Sequence, residues 1–132
     1  WVFEEEHIAF AFEAKNEKLP DNPLTKQEHG QLQVAKEWLR ARYPKMKCFA
    51  ISVHPNNLAY KNASAESALV LTLNKLNELV KSIGQLIAIL SCGTLNERSR
   101  LAQCETLINQ HNLRPEQILG TRVETFIAKE QG

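Results

Sequence analysis

The chain has 132 residues, 43% hydrophobic and 23% charged, with a formal net charge of +1. Such a length can bury one sizeable core, and such a balance excludes a disordered segment. A chain that held nucleic acid by bulk electrostatics would usually be more basic, so any nucleic-acid contact must come from a local patch or another domain.

Taken in order, Trp1-Val2-Phe3 reads as a strand that turns at Glu4-Glu5-Glu6 and pairs with a second strand from His7 to Lys15. Glu17 to Leu24 carries Pro20, Asp21, Asn22 and Pro23 and reads as a loop, with Asp21 as a turn former. Thr25 is the expected N-cap of a helix to about Arg42, with Glu28 as its capping-box partner. Leu32, Ala35 and Leu39 repeat at helical spacing, Trp38 is expected to widen that stripe, and Pro44 ends the helix. Cys48 to His54 is a second strand, and strand–helix–strand predicts a crossover with parallel strands.

Asn56 to Ala63 is polar and expected to be loop. The next segment has two readings. Leu69, Leu73, Leu76, Val80, Ile83, Ile87 and Leu90 fit one long helix. Alternatively Ala68 to Thr72 is a short buried strand, and Thr72 caps a helix to Leu90. The second is favoured because both faces of that pentapeptide are apolar. Asn96 to Asn112 reads as a helix, followed by a turn from Pro115 that Gly120 closes. Thr121 to Lys129 reads as an edge strand or docking tail. The chain is thus expected to be one α/β domain, with a core over 1–90 and a helical extension over 91–132. It opens at Trp1 rather than Met and is expected to belong to a larger protein.

The His7–Asn16 stretch, HIAFAFEAKN, carries the chemistry. Side chains alternate along a strand, so Ile8, Phe10, Phe12 and Ala14 share one face, and Ala9, Ala11, Glu13 and Lys15 share the other. The first face is built for a core. The second is small until it presents an acid and an amine about 6.6 Å apart along the strand. A carboxylate that can hold a divalent cation, beside a lysine that can touch an attacking water or a phosphate, suits phosphodiester hydrolysis. An acid at the end of a buried strand is costly unless used or paired.

Other chemistry is sparse. Cys48, Cys92 and Cys104 lack C-x-x-C spacing, which fits a reducing cytoplasm and offers no zinc site. His7, His29, His54 and His111 fall in no metal-ligand spacing, and His54 at a strand end reads as a capping or core residue. Lys75, Glu78 and Lys81 interrupt the longest apolar candidate, so no membrane partner is expected, and no signal peptide is visible.

This order of elements, with EAK on an apolar strand and a glutamine in HGQLQVAKEWL on the following helix, resembles the PD-(D/E)XK, or restriction-endonuclease-like, nucleases. In element order the resemblance spans about Trp1 to Leu90. It implies a mixed β-sheet flanked by helices and a Mg²⁺- or Mn²⁺-dependent phosphodiesterase acting on nucleic acid, chiefly DNA. Such modules often accompany helicases or restriction-system subunits. Carried onto this chain, Glu13 and the Ala14 carbonyl become metal ligands, and Lys15 orients water or stabilises developing phosphate charge. Gln31 orders the site, and Lys18 and Lys26 meet phosphates, although a solvated surface explains those two lysines equally well. The family also places an Asp on the preceding strand. No Asp lies upstream of Glu13 here, so that residue is expected before Trp1, with Glu4, Glu5 or Glu6 as possible substitutes. A catalytically inactive nuclease-like module that binds nucleic acid or a protein is the alternative.

Overall fold

The computed structural model describes residues 1–15 and 18–128; Asn16, Glu17 and the last four positions, including the Lys129 end of the expected tail, lie outside them. β1 (Val2–Phe3) runs antiparallel to β2 (Ile8–Ala14) across a turn over the three glutamates, where His7 takes a left-handed φ of 56°. α1 (Lys26–Arg42) crosses over to β3 (Lys47–His54), which pairs parallel with β2 as expected. The capping box forms as read: Thr25 Oγ1 accepts from the Glu28 N–H at 3.2 Å, and the Glu28 carboxylate accepts from the Thr25 N–H at 2.8 Å.

Asn56 to Ala63 departs from the loop expectation. It contains β4 (Leu58–Tyr60) and a 3₁₀ turn at Lys61–Ala63. β4 pairs parallel with β7 (Thr125–Ile127), from the far end of the chain. Further on, β5 (Leu69–Thr72) lies parallel to β3, and Thr72 caps α2 (Leu73–Leu90) through its side chain. α3 (Glu97–Gln110) follows, then a 3₁₀ turn at Pro115–Gln117 and β6 (Thr121–Arg122), antiparallel to β5. The result is an α/β fold with a mixed five-stranded sheet, β1-β2-β3-β5-β6, and a small β4-β7 pair. The 91–128 segment is therefore not a purely helical extension. It supplies the strand at one sheet edge and the partner of β4.

The two faces of the main sheet sort as the alternation predicts. Ile8, Phe10, Ile51, Leu71 and Leu79 form one buried cluster with α2, while Leu24, Leu32, Ala50, Ala59 and Val70 form another on the α1 side. Fully burying a residue such as Ile51 stabilises by roughly 1.5–3 kcal/mol. Two helical stripes come out narrower than read. Leu32 and Leu39 are buried, but Trp38 is 64% exposed because it lies about 100° around the helix from Leu39. On α2, Leu73, Val80, Ile87 and Leu90 stay exposed, since Leu79 and Ser82 mark the face that meets the sheet. Among the described residues, no helix is long and apolar enough to cross a membrane.

Candidate functional site

Glu13 and Lys15 reach the α1 side of the sheet through strand alternation, just where β2 ends. β1 accompanies only the first part of β2: Val2 pairs with Ala9, Phe3 with Ile8, and the Trp1 amine donates to the Phe10 carbonyl at 2.9 Å. Among the described residues, no strand pairs with β2 beyond Phe10 on that side. On the other side, Glu13 stands opposite buried Ser52 in the parallel ladder with β3.

α1 closes over this end of β2. One groove of about 920 Å³ is lined by Ala11, Glu13 and Lys15 from the strand, and by Gln27, Gly30, Gln31, Val34, Ala35 and Trp38 from the helix. Those helical positions recur at three- and four-residue spacing and so form one face. Small side chains at Ala11, Gly30 and Ala35 leave the space, and a Cβ built on Gly30 would meet nothing within 4 Å. The expected trio of Glu13, Lys15 and Gln31 thus shares one groove. Gln31 Oε1 is buried with no hydrogen-bond partner among the described residues. A buried amide oxygen without a donor costs roughly 1–3 kcal/mol; this oxygen is sealed from solvent, so other atoms of Gln31 line the groove.

The remaining expected residues fall elsewhere. Lys18 is outside the groove; its ammonium donates to the Pro23 carbonyl at 2.8 Å and pairs with Glu28 at 2.9 Å. It therefore does structural work in place of the expected phosphate contact. Lys26 is exposed at the start of α1 and does not line the groove. Ala14 ends β2 with its side chain on the face away from Glu13, leaving its backbone carbonyl as the only group it can offer. Glu4, Glu5 and Glu6 lie at the opposite end of β2, about 20 Å from Glu13 at strand rise, and so cannot complete a site with it. Asp21 is exposed in the turn, as read.

His54 is 1% exposed on β3, with Nδ1 2.9 Å from the Asn56 carbonyl. Burial pulls its pKa below 6.5, the Asn56 carbonyl opposes that shift, and the nearby Lys18 ammonium reinforces it. It is the buried core residue expected. Asn56 anchors the same loop, donating through Nδ2 to the carbonyls of Pro20 at 2.8 Å and Asn22 at 3.0 Å. A tighter cleft of about 330 Å³ on the other sheet face includes Lys75 and Glu78, but those two charges face each other at 3.7 Å.

Sequence reasoning missed Trp38, Val34 and Gln27 as groove residues. The available signal was their displacement from the Leu32–Leu39 stripe, which leaves a second helical face of mixed polar and aromatic character. The chain matches no protein-family model, no curated protein and no solved structure.

Proposed function

We propose that this chain is a metal-dependent nuclease domain of restriction-endonuclease-like type, hydrolysing phosphodiester bonds of nucleic acid, chiefly DNA, in the cytoplasm. The observation that carries this reading is the groove shared by Glu13, Lys15 and Gln31, an acid, an amine and an amide residue at the end of a parallel strand. Ligands of open α/β sheets favour the carboxyl ends of strands.

The donors are hard oxygens, the class that Mg²⁺ and Mn²⁺ prefer. Glu13 would hold the ion with the Ala14 carbonyl, and when bound the ion would polarise the phosphate and lower the pKa of a water. One carboxylate with neutral oxygens suits a weak site completed by water and phosphate. Lys15 supplies the positive charge that opposes negative charge building on the phosphate oxygens. Gln31 forms part of the helical wall beside Glu13 and Lys15. Helicase or restriction-system subunits are the partners this reading implies.

The test is cleavage of plasmid DNA by the full-length protein with Mg²⁺, Mn²⁺ or Ca²⁺. Glu13→Ala should abolish metal-dependent cleavage and leave the fold intact. Unchanged cleavage by Glu13→Ala would refute the assignment. A second reading, a nuclease-like module that only binds, draws on one observation: the described residues contain no group of three or more His, Cys, Asp or Glu side chains placed to hold a metal. It requires nucleic-acid binding with no metal-dependent cleavage by the wild type.

A further inference from the structure

The geometry points to Trp38 as a stacking platform for an unpaired base. The groove would therefore accept nucleic acid that is single-stranded, or locally opened, next to the bond acted on. This rests on the nuclease reading for the place of the phosphate, but the stacking contact can be measured without cleavage.

Trp38 is 64% exposed, and Val34, one turn before it, is 66% exposed. Both line the groove that holds Glu13, Lys15 and Gln31. An indole left in water forfeits a large apolar area unless something covers it. Here the cover must also tolerate the acid and amine at the other end of the groove, because an apolar protein surface would strip those charges of water without replacing it. A nucleotide strand meets both demands, with a flat apolar base and a charged phosphate.

The spacing fits. Gln31 and Trp38 are seven positions apart on α1, which is about 10.5 Å at 1.5 Å per residue. That is about three nucleotides at the roughly 3.4 Å rise of a stacked strand. Arg42 lies one further turn along the same helix and is exposed. A strand running along the helix over Trp38 would therefore find Lys15 within the groove and Arg42 beyond its lining, cations that suit a single strand. A closed duplex keeps its base faces stacked inside and offers the indole none of them. Among the lining residues it would also find one cation, Lys15, where duplex binding relies on several phosphate contacts.

The test uses tryptophan fluorescence in a Trp1→Phe background, since the chain has two tryptophans. With Ca²⁺ present, the protein is titrated with a single-stranded oligonucleotide, its blunt duplex and an abasic strand of equal length. The single strand should quench Trp38 strongly, and the other two should not. Trp38→Ala should weaken single-strand binding about tenfold, in line with one lost base stack, while Trp38→Phe recovers most of it. Equal effects of Trp38→Ala on all three ligands would overturn the proposal. So would a change confined to sedimentation behaviour, which would assign the face to a protein contact. Lys15-dependent cleavage with a silent Trp38 would reject stacking and spare the nuclease reading; quenching without cleavage by the wild type would do the reverse.

Discussion

Lys18 and Glu28 meet at 2.9 Å with side chains only 13% and 14% exposed, fastening the loop after β2 to the first turn of α1. Glu28 also caps the helix through the Thr25 N–H. Burial works to raise the Glu28 pKa, but the Lys18 ammonium and the Thr25 contacts outweigh it and hold the carboxyl below its ordinary 4.5. This fastening sets where α1 begins, and so where Gln27 and Gln31 come to lie over Glu13.

Glu28→Ala leaves the Lys18 ammonium largely buried without its partner and removes half of the capping box. Loss of a buried partner and of a cap together should cost about 2–4 kcal/mol, read from urea denaturation. Lys18→Met should also destabilise, yet leave the nucleic-acid affinity of the folded protein unchanged. A salt-dependent loss of affinity at full folding would show that Lys18 reaches a phosphate after all.

His54 makes stability depend on pH. Its Nδ1–H donates to the Asn56 carbonyl, and its Nε2 is buried with no partner among the described residues, so the ring is held neutral. Its folded pKa lies below the unfolded value of 6.5. The unfolded chain therefore binds the extra proton first as pH falls. The stabilisation is complete above about pH 7 and is lost as pH drops below 6.5 toward the folded pKa, at no more than about 1.4 kcal/mol per pH unit. Denaturation midpoints from pH 7.5 to 5 should show this slope in the wild type and lose it in His54→Gln. A flat wild-type profile would contradict the assignment. Glu28 adds a second loss in the same direction, only as pH falls below 4.5.

Gly120 separates two kinds of glycine. Its φ is +78°, and a Cβ there would sit 2.6 Å from the Val70 carbonyl oxygen. Gly120→Ala should destabilise by at least about 2 kcal/mol, through strain and displacement of the β5–β6 edge. Gly84, in the middle of α2, has open space around its missing Cβ. Gly84→Ala should stabilise by about 0.5–1 kcal/mol. Thermal melts of the two variants should move in opposite directions.

Much of this was legible in local patterns. The alternation of Ile8, Phe10 and Phe12 against Ala9, Ala11 and Glu13 predicted both faces of β2. The Thr25–Glu28 spacing marked the start of α1, and the apolar Ala68–Thr72 run separated β5 from α2. What stayed hidden lacks a local signature. β4 is three residues long, and its partners are distant in the chain: Thr125–Ile127, more than sixty positions away, and Leu24, which bridges to Ala59. The exposure of Trp38 depends on which edge of the α1 stripe meets the sheet. Lys18 looks like any surface lysine until Glu28 folds back to meet it.

The most direct test of the central claim is Lys15→Ala in the full-length protein, with plasmid cleavage in Mg²⁺ measured beside a gel shift in Ca²⁺. On the nuclease reading Lys15 would act mainly on charge that develops in the transition state, so cleavage should fall at least about a hundredfold while affinity changes little. Glu13→Ala, measured alongside, should lose cleavage and keep or raise affinity, since it removes a negative charge facing phosphate. Equal cleavage by wild type and Lys15→Ala would contradict the nuclease mechanism and leave the binding module as the better account of this groove.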